Sequence, residues 1–163
     1  GVDLSIHEAF YPAISMVERG IFSHAAALNA GTRVHTPPEG FGHVMNLTKP
    51  RMAVAYHFPN DFDTVHIIRD AIREYYDGPL TMAEDYMVWN VTKDSIRVRK
   101  AVVNPDHYSI PSGKKLGAGT PGYKYHELTL TGSEPSYGPV IQKIYDKFNK
   151  RFGTDFKPNP TAP

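Results

Sequence analysis

Alternating apolar and polar residues predict two short strands in the first third of the chain. In residues 2–7, Val2, Leu4 and Ile6 alternate with polar side chains, which predicts one apolar strand face turned towards a core. Residues 51–58 repeat this alternation, so they predict a second strand of similar length.

Helical spacing of apolar residues fills the interval between these strands. Residues 12–30 predict a broken helix that Pro12 starts and Gly20 interrupts. The sequence Thr36-Pro37-Pro38-Glu39 predicts a sharper helix start, in which the threonine caps the helix and the glutamate completes a capping box. This helix is expected to end near Thr48, before the second strand begins.

The remaining sequence predicts one more central helix, several strands and a terminal helix. Asp61 or Asp63 is expected to cap a helix whose apolar residues recur at three- and four-residue steps. The further expected elements are strands at 80–83, 86–91 and 95–103, a loop at 104–122, a strand at 124–131, a helix at 137–152 and a tail at 155–163. This order is typical of the α/β class, and residues 1–163 are taken as a single region.

Composition narrows the classes of function. The 18 basic and 17 acidic side chains give a formal net charge of +1, which argues against a nucleic-acid binder that works by bulk charge. The sequence has no cysteine, so a metal would have to be held by histidine and carboxylate side chains. No apolar run reaches the roughly 20 residues that span a bilayer, so we expect a soluble protein. The absence of cysteine suits the cytoplasm and the periplasm alike, so the compartment stays open between them.

The first residues have the character of the middle of a fold. The chain opens on Gly1 and enters a strand pattern at once, without an initiator methionine or a signal peptide. We therefore expect a processed or nicked chain whose fold is completed by another polypeptide.

Three short motifs carry the side chains with chemical potential. The first runs from Asp3 to Glu8, the second is His35-Thr36, and the third is the strand that ends in His57. Strand ends that feed loops are where α/β sheets place ligands, so we expect these groups to converge. Zinc is the default metal for carboxylate and imidazole ligands. The ordinary alternatives are an ion-pair role for the aspartate and a hydrogen-bonded core role for each histidine.

In this order, the motifs resemble the C-terminal half of the metallo-β-lactamase fold, and most closely its ribonuclease Z branch. Asp-x-x-x-His-Glu-Ala at 3–9 is similar to Asp-x-Leu-x-His-Glu-Ala-Thr in that branch. His35-Thr36 is similar to His-Ser-Thr, and the strand ending in His57 is similar to Leu-x-Leu-Thr-His. The resemblance covers about residues 1–100. It implies that the chain is the C-terminal half of an αββα four-layer sandwich.

The resemblance also implies a role for each matched residue. Asp3 resembles the aspartate that bridges two metals, and His57 resembles the last histidine on the second metal. Glu8 and His35 resemble the glutamate–histidine pair that transfers a proton to the leaving group. The implied enzyme is a hydrolase with two zinc ions per complete site and a bridging hydroxide as its nucleophile.

Departures from the ribonuclease Z pattern change the expected substrate. Phe10 stands where that branch has threonine, and the Ser-x-Arg-Tyr sequence that handles RNA is absent after His57. The expected substrate is therefore a small-molecule ester, lactone, phosphoester or activated halide. The candidate substrate contacts are Phe41, Phe58 and Asp61.

The defining His-x-His-x-Asp-His motif of the fold is also absent from this sequence. Each zinc needs about three protein ligands and a water, so two ligands cannot complete a two-metal site. We therefore expect a separate N-terminal chain that carries the motif, and a homo-oligomer of the assembled unit. No nucleic-acid or membrane partner is expected.

Two other functions stay open at this point. One is a ribonuclease Z-like RNA phosphodiesterase, and the other is a non-catalytic binding subunit that kept the fold. The basic residues Lys93, Arg97, Arg99 and Lys100 are interpreted as a solvated strand face, with anion binding as the alternative.

Overall fold

A three-stranded parallel sheet forms the centre of the structure. The computed structural model describes residues 2–103 and 138–159. The sheet contains β1 (Leu4–Glu8), β2 (Met52–Tyr56) and β3 (Leu80–Met82), with β2 in the middle. Leu4 pairs with Met52 and Glu8 with Tyr56, so the carboxyl ends of β1 and β2 lie side by side.

Helices connect the parallel strands, as a parallel sheet requires. The helical segments are α1 (Ala13–Glu18), α2 (His24–Asn29), a π-helical turn (Ala30–Val34), α3 (Pro38–Thr48) and α4 (Val65–Arg73). A last helix, α5 (Gly138–Phe152), follows later in the chain. The expected break near Gly20 is confirmed, because this glycine has φ +68° and lies between α1 and α2.

The core lies on the side of the sheet that the alternating pattern did not predict. Ala53 and Ala55 of β2 are fully buried in the core, and the His7 ring of β1 contacts Phe41 of α3. By contrast, Ile6 is 55% exposed. The prediction of an inward Val2–Leu4–Ile6 face is therefore wrong for β1, because the helices pack on the face with small alanine side chains.

The start of α3 also differs from the prediction. Pro37 occupies the N-cap position, the helix begins at Pro38, and no side chain caps it. Glu39 is buried instead of completing a capping box, and its Oε2 atom has no hydrogen-bond partner among the described residues. The expected caps of α4 are wrong too, because Thr64 is at the N-cap and Asp63 forms an ion pair with Arg19.

The terminal helix α5 packs against α1, α2 and α3. The His24 ring of α2 meets Phe148 and Phe152 edge to face, with centroid distances of 5.8 and 4.8 Å. Lys147 forms an ion pair with Glu74 just after α4. These contacts combine apolar packing with a charged rim, so they fix α5 on the helical layer.

A two-stranded antiparallel ribbon follows the parallel sheet. It consists of β4 (Met87–Val91) and β5 (Ile96–Lys100), as the alternating pattern predicted. The polar residues of β5 are exposed, and Arg99 donates to Asn90 on the neighbouring strand. The fold is thus of the α/β class, with a parallel sheet and an antiparallel pair.

Some expected elements fall outside the described residues. They are the loop at 104–122, the strand at 124–131 and the last four residues of the 155–163 tail. Residues 155–159 contain no helix or strand. In the two described ranges, no helix combines the length and the apolar character that crossing a bilayer demands.

A tight contact between α3 and the end of α4 gives a stability prediction. A Cβ atom at position 42 would lie 2.6 Å from the backbone carbonyl oxygen of Ile72. Gly42→Ala should therefore lower the free energy of unfolding by about 1–3 kcal/mol, although alanine favours helices. Asn46→Ala, on the exposed face of the same helix, should change it by less than about 0.5 kcal/mol. Urea denaturation of both variants measures the difference, and equal midpoints would contradict the tight contact.

Buried Glu39 gives a prediction about pH. Burial raises the pKa of this carboxyl above its usual 4.5, and Lys147 lowers it only in part. The folded state therefore holds the proton more tightly, and this stability is lost as the pH rises through the folded pKa. Glu39→Gln should flatten that decline and stabilise the protein at pH 8 by roughly 1–3 kcal/mol. Melting temperatures from pH 4 to 8 test this, with exposed Asp70→Asn as the variant that should keep the wild-type slope.

Candidate functional site

The carboxyl ends of β1 and β2 bring Glu8 and His57 to the same edge of the sheet. Glu8 is the last residue of β1, and His57 directly follows β2. Just beyond the ladder, the Ala9 amide donates to the Tyr56 carbonyl at 3.0 Å. The His57 Nε2 atom lies 3.8 Å from Glu8 Oε1. Parallel pairing thus places a carboxylate beside an imidazole.

Both oxygens of the Glu8 carboxylate are engaged by the segment that enters α3. Glu8 Oε1 lies 2.5 Å from His35 Nδ1, and Glu8 Oε2 accepts the Thr36 amide hydrogen at 3.0 Å. Each partner restrains one oxygen, so the plane of the carboxylate is fixed. When His35 Nδ1 carries the hydrogen of this contact, its Nε2 is the nitrogen that can accept a proton or bind a metal.

Phe10 holds the imidazole of His35 from its face. The two rings stack with their centroids 3.9 Å apart and an angle of 19° between the planes. The Phe10 amide also donates to the Thr36 carbonyl at 2.8 Å. The same short segment therefore orients His35 through its backbone and through its aromatic side chain.

His57 adopts a backbone conformation that is uncommon for residues with a side chain. Its φ angle is +61°, in the left-handed region. This conformation lets β2 turn away at its end while the imidazole stays within 5.3 Å of the His35 ring, centroid to centroid. Backbone strain of this kind is concentrated at functional sites, which makes this turn a notable feature of the edge.

Glu8, His35 and His57 form a group suited to a metal ion. One ligand atom from each lies within 4.8 Å of the others. Two atoms bound to one zinc in a tetrahedral site lie about 3.3 Å apart, given bonds of about 2.0–2.1 Å. The 2.5 Å contact of Glu8 with His35 Nδ1 is too short for two ligands of one zinc and is a short hydrogen bond between the carboxylate and the imidazole. As placed, the group therefore offers the His57 imidazole as a ligand beside a hydrogen-bonded glutamate–histidine pair.

Asp3 does not belong to this group, which corrects its expected role as a ligand together with His57. Asp3 precedes β1, and its carboxylate pairs with Arg51 at 2.7 Å. Because β1 and β2 are parallel, the chain advances roughly 16 Å from Asp3 to Glu8. Asp3 and His57 consequently lie at opposite ends of the ladder and cannot bind the same metal.

The three expected substrate contacts separate in the structure. Phe41 is completely buried in the core, so its expected contact with substrate is wrong. Phe58 lines an open hollow beside His57. Asp61 is exposed and not among the residues that line this hollow, and its backbone oxygen accepts from the Thr64 and Val65 amides.

Several residues that shape the site were not identified from the sequence. Phe10 and Thr36 position the Glu8–His35 pair, and Tyr56 lines the hollow. The position of Phe10 directly after the His-Glu-Ala sequence was a signal for the first of these. Glu84, Asp85 and Lys100 also line the hollow, and the sequence carried no signal for them. They are brought to the hollow only by the tertiary structure.

Comparisons with known proteins do not assign the chain to a family. The sequence matches no protein-family model. A search of curated proteins gives no match either.

The left-handed turn at His57 gives a third prediction. Glycine adopts a positive φ without steric cost. The free energy of unfolding of His57→Gly should therefore be about 1 kcal/mol higher than that of His57→Ala. At Gly20, φ is +68° and an added Cβ meets nothing within 4 Å. Gly20→Ala should therefore lower the free energy of unfolding by a similar amount. Denaturant midpoints of the three variants measure this strain. An alanine at 57 as stable as glycine would show that the turn carries no strain.

Proposed function

We propose that this chain supplies part of the active site of a metal-dependent hydrolase. Its substrate is a small-molecule ester, lactone, phosphoester or activated halide. Zinc is the metal that its histidine-rich, cysteine-free donor set favours. We also propose that the complete fold is an αββα sandwich. The chain would contribute one sheet and the helices that cover it.

The observation that carries the proposal is the convergence of Glu8, His35 and His57 at the carboxyl edge of the sheet. The three residues come from three separate segments, and the same edge opens into a hollow. A hydrogen-bonded carboxylate–imidazole pair beside a second imidazole is an arrangement suited to proton transfer near a metal. Ile6 and Tyr56 lie on the same face of the sheet and are 55% and 46% exposed, which is compatible with a sandwich partner at this end of the face, although Val54 between them is buried.

Each residue has a distinct task in this mechanism. Glu8 accepts the hydrogen of His35 Nδ1 and so fixes the tautomer, which leaves His35 Nε2 to take up a proton and deliver it to the leaving group. Phe10 keeps the imidazole plane in place. His57 provides an imidazole ligand through Nε2. A bound zinc supplies Lewis acidity and a water acidic enough to act as a nucleophile near neutral pH.

Further ligands must come from outside the described residues. We assign them to a polypeptide segment outside the given sequence that carries His-x-His-x-Asp-His, within an assembly that forms a homo-oligomer. Since Asp3 pairs with Arg51 at the far end of β1, a two-zinc site would also need its bridging carboxylate from that partner.

Zinc binding by matched variants tests the proposal. We expect His57→Ala to weaken zinc binding by at least about tenfold, because one imidazole ligand is lost. Asp3→Asn is the matched control and should bind zinc like the wild type, since it lies at the other end of the ladder. Isothermal titration of the native assembly gives the affinity, and binding should weaken at acid pH as protons compete for imidazole nitrogens.

Rates of hydrolysis distinguish the metal ligand His57 from the proton-transfer pair Glu8 and His35. Glu8→Gln should retain zinc but lower kcat about 100-fold or more, because the amide orients His35 poorly. Loss of zinc on Asp3→Asn, or its retention on His57→Ala, would contradict the assignment. An assembly that binds no zinc would instead support a binding subunit, and cleavage of RNA in preference to small esters would support a phosphodiesterase.

A further inference from the structure

An open hollow of about 590 Å³ begins at His57 and extends away from the Glu8–His35 pair. One wall consists of Tyr56 and Phe58, which flank His57 at the end of β2. The opposite wall comes from the segment after β3 and from the end of β5. A volume of this size accommodates a small molecule whose reacting group lies beside the imidazole.

The opposite wall has a fixed geometry. The Ala83 amide donates to the Ala55 carbonyl at 2.8 Å, which ties the segment after β3 to the central strand. Lys100, the last residue of β5, forms an ion pair with Glu84 at 2.7 Å. The Tyr86 carbonyl accepts the Ala101 amide at 2.7 Å and closes the same turn. The charged groups of this wall are therefore placed by three independent bonds.

The charges of the hollow do not cancel. Glu84 and Lys100 neutralise each other, whereas Asp85 has neither a hydrogen bond nor an ion pair among the described residues. Among the described residues that line the hollow, the charges thus sum to one excess negative charge, on the exposed Asp85, and Tyr56, which is 46% exposed, and Phe58 add aromatic surface to the same hollow. A carboxylate combined with aromatic ring faces is the chemistry that recognises ammonium groups.

We propose that this hollow is a substrate subsite and that it selects small molecules with a cationic ammonium group. The inference rests on the proposed function, since it takes the end of the hollow at His57 as the position of the scissile bond. The ammonium group lies between Asp85 and the aromatic wall, with its charge balanced by the carboxylate.

A pair of isosteric probes tests the selectivity without any chemical reaction. Choline carries a quaternary ammonium, and 3,3-dimethylbutan-1-ol has the same shape without the charge. We expect choline to bind the assembled protein roughly three- to tenfold more tightly, with NMR shifts confined to residues of the hollow. Equal affinity for the two probes, or shifts elsewhere on the surface, would overturn the proposal.

Variants with opposite expected effects guard against a general loss of structure. Asp85→Asn should bring choline and its neutral isostere to nearly equal affinity. Lys100→Met leaves Glu84 without its cation and should strengthen choline binding several-fold. Asp94→Asn, which makes the same charge change in the turn between β4 and β5, should leave the selectivity unchanged. A shared direction of change in Asp85→Asn and Lys100→Met would refute the charge argument.

The outcome separates this inference from the proposed hydrolase. Choline selectivity that depends on Asp85, in a protein without zinc or hydrolytic activity, would keep the subsite and remove the hydrolase. Hydrolysis of neutral and cationic esters with the same KM, unaffected by Asp85→Asn, would keep the hydrolase and remove the subsite. For a hydrolase with the subsite, Asp85→Asn should raise KM for the cationic ester several-fold more than KM for the neutral ester.

Discussion

The parallel register of β1 and β2 is the constraint on which the candidate site depends. Pairing of Glu8 with Tyr56 delivers the glutamate and the following His57 to one edge, and the same register carries Asp3 to the other. A parallel ladder needs a long connection, and α1 to α3 supply it. The same connection returns to the carboxyl edge of the sheet at His35. The topology therefore brings this residue next to Glu8 and His57.

Glu8 links the backbone of the fold to the chemistry at this edge. Its carboxylate bonds the Thr36 amide at the entry to α3 and the imidazole of His35, while the adjacent Phe10 stacks on that imidazole. A side chain restrained at both oxygens has little freedom to reorient, so the pair is organised before any ligand binds. The left-handed turn at His57 adds a local cost that the surrounding contacts must sustain.

The helices α3 to α5 stabilise this edge without contributing residues to the Glu8–His35–His57 group. α3 and α4 approach at Gly42 and cover the alanine-rich face of β2, and α5 packs on α1 to α3, with its aromatic residues against His24. The ribbon β4–β5 differs from these helices, because it does not cover the core. It is largely exposed and places Lys100 beside the hollow. The helices therefore mainly support the sheet, whereas the ribbon contributes a residue to the candidate subsite.

The sequence by itself determined the α/β class, the order of most helices and strands, and three of the residues that meet at the edge. Local rules were sufficient there, because periodicity and strand ends are properties of neighbouring residues. Only the tertiary structure decided that Asp3 lies with Arg51, that Ile6 faces outwards, and that Phe41 is core. Strand direction, the face a helix covers and the walls of a hollow depend on residues far apart in the chain, and their packing is not encoded in any one segment.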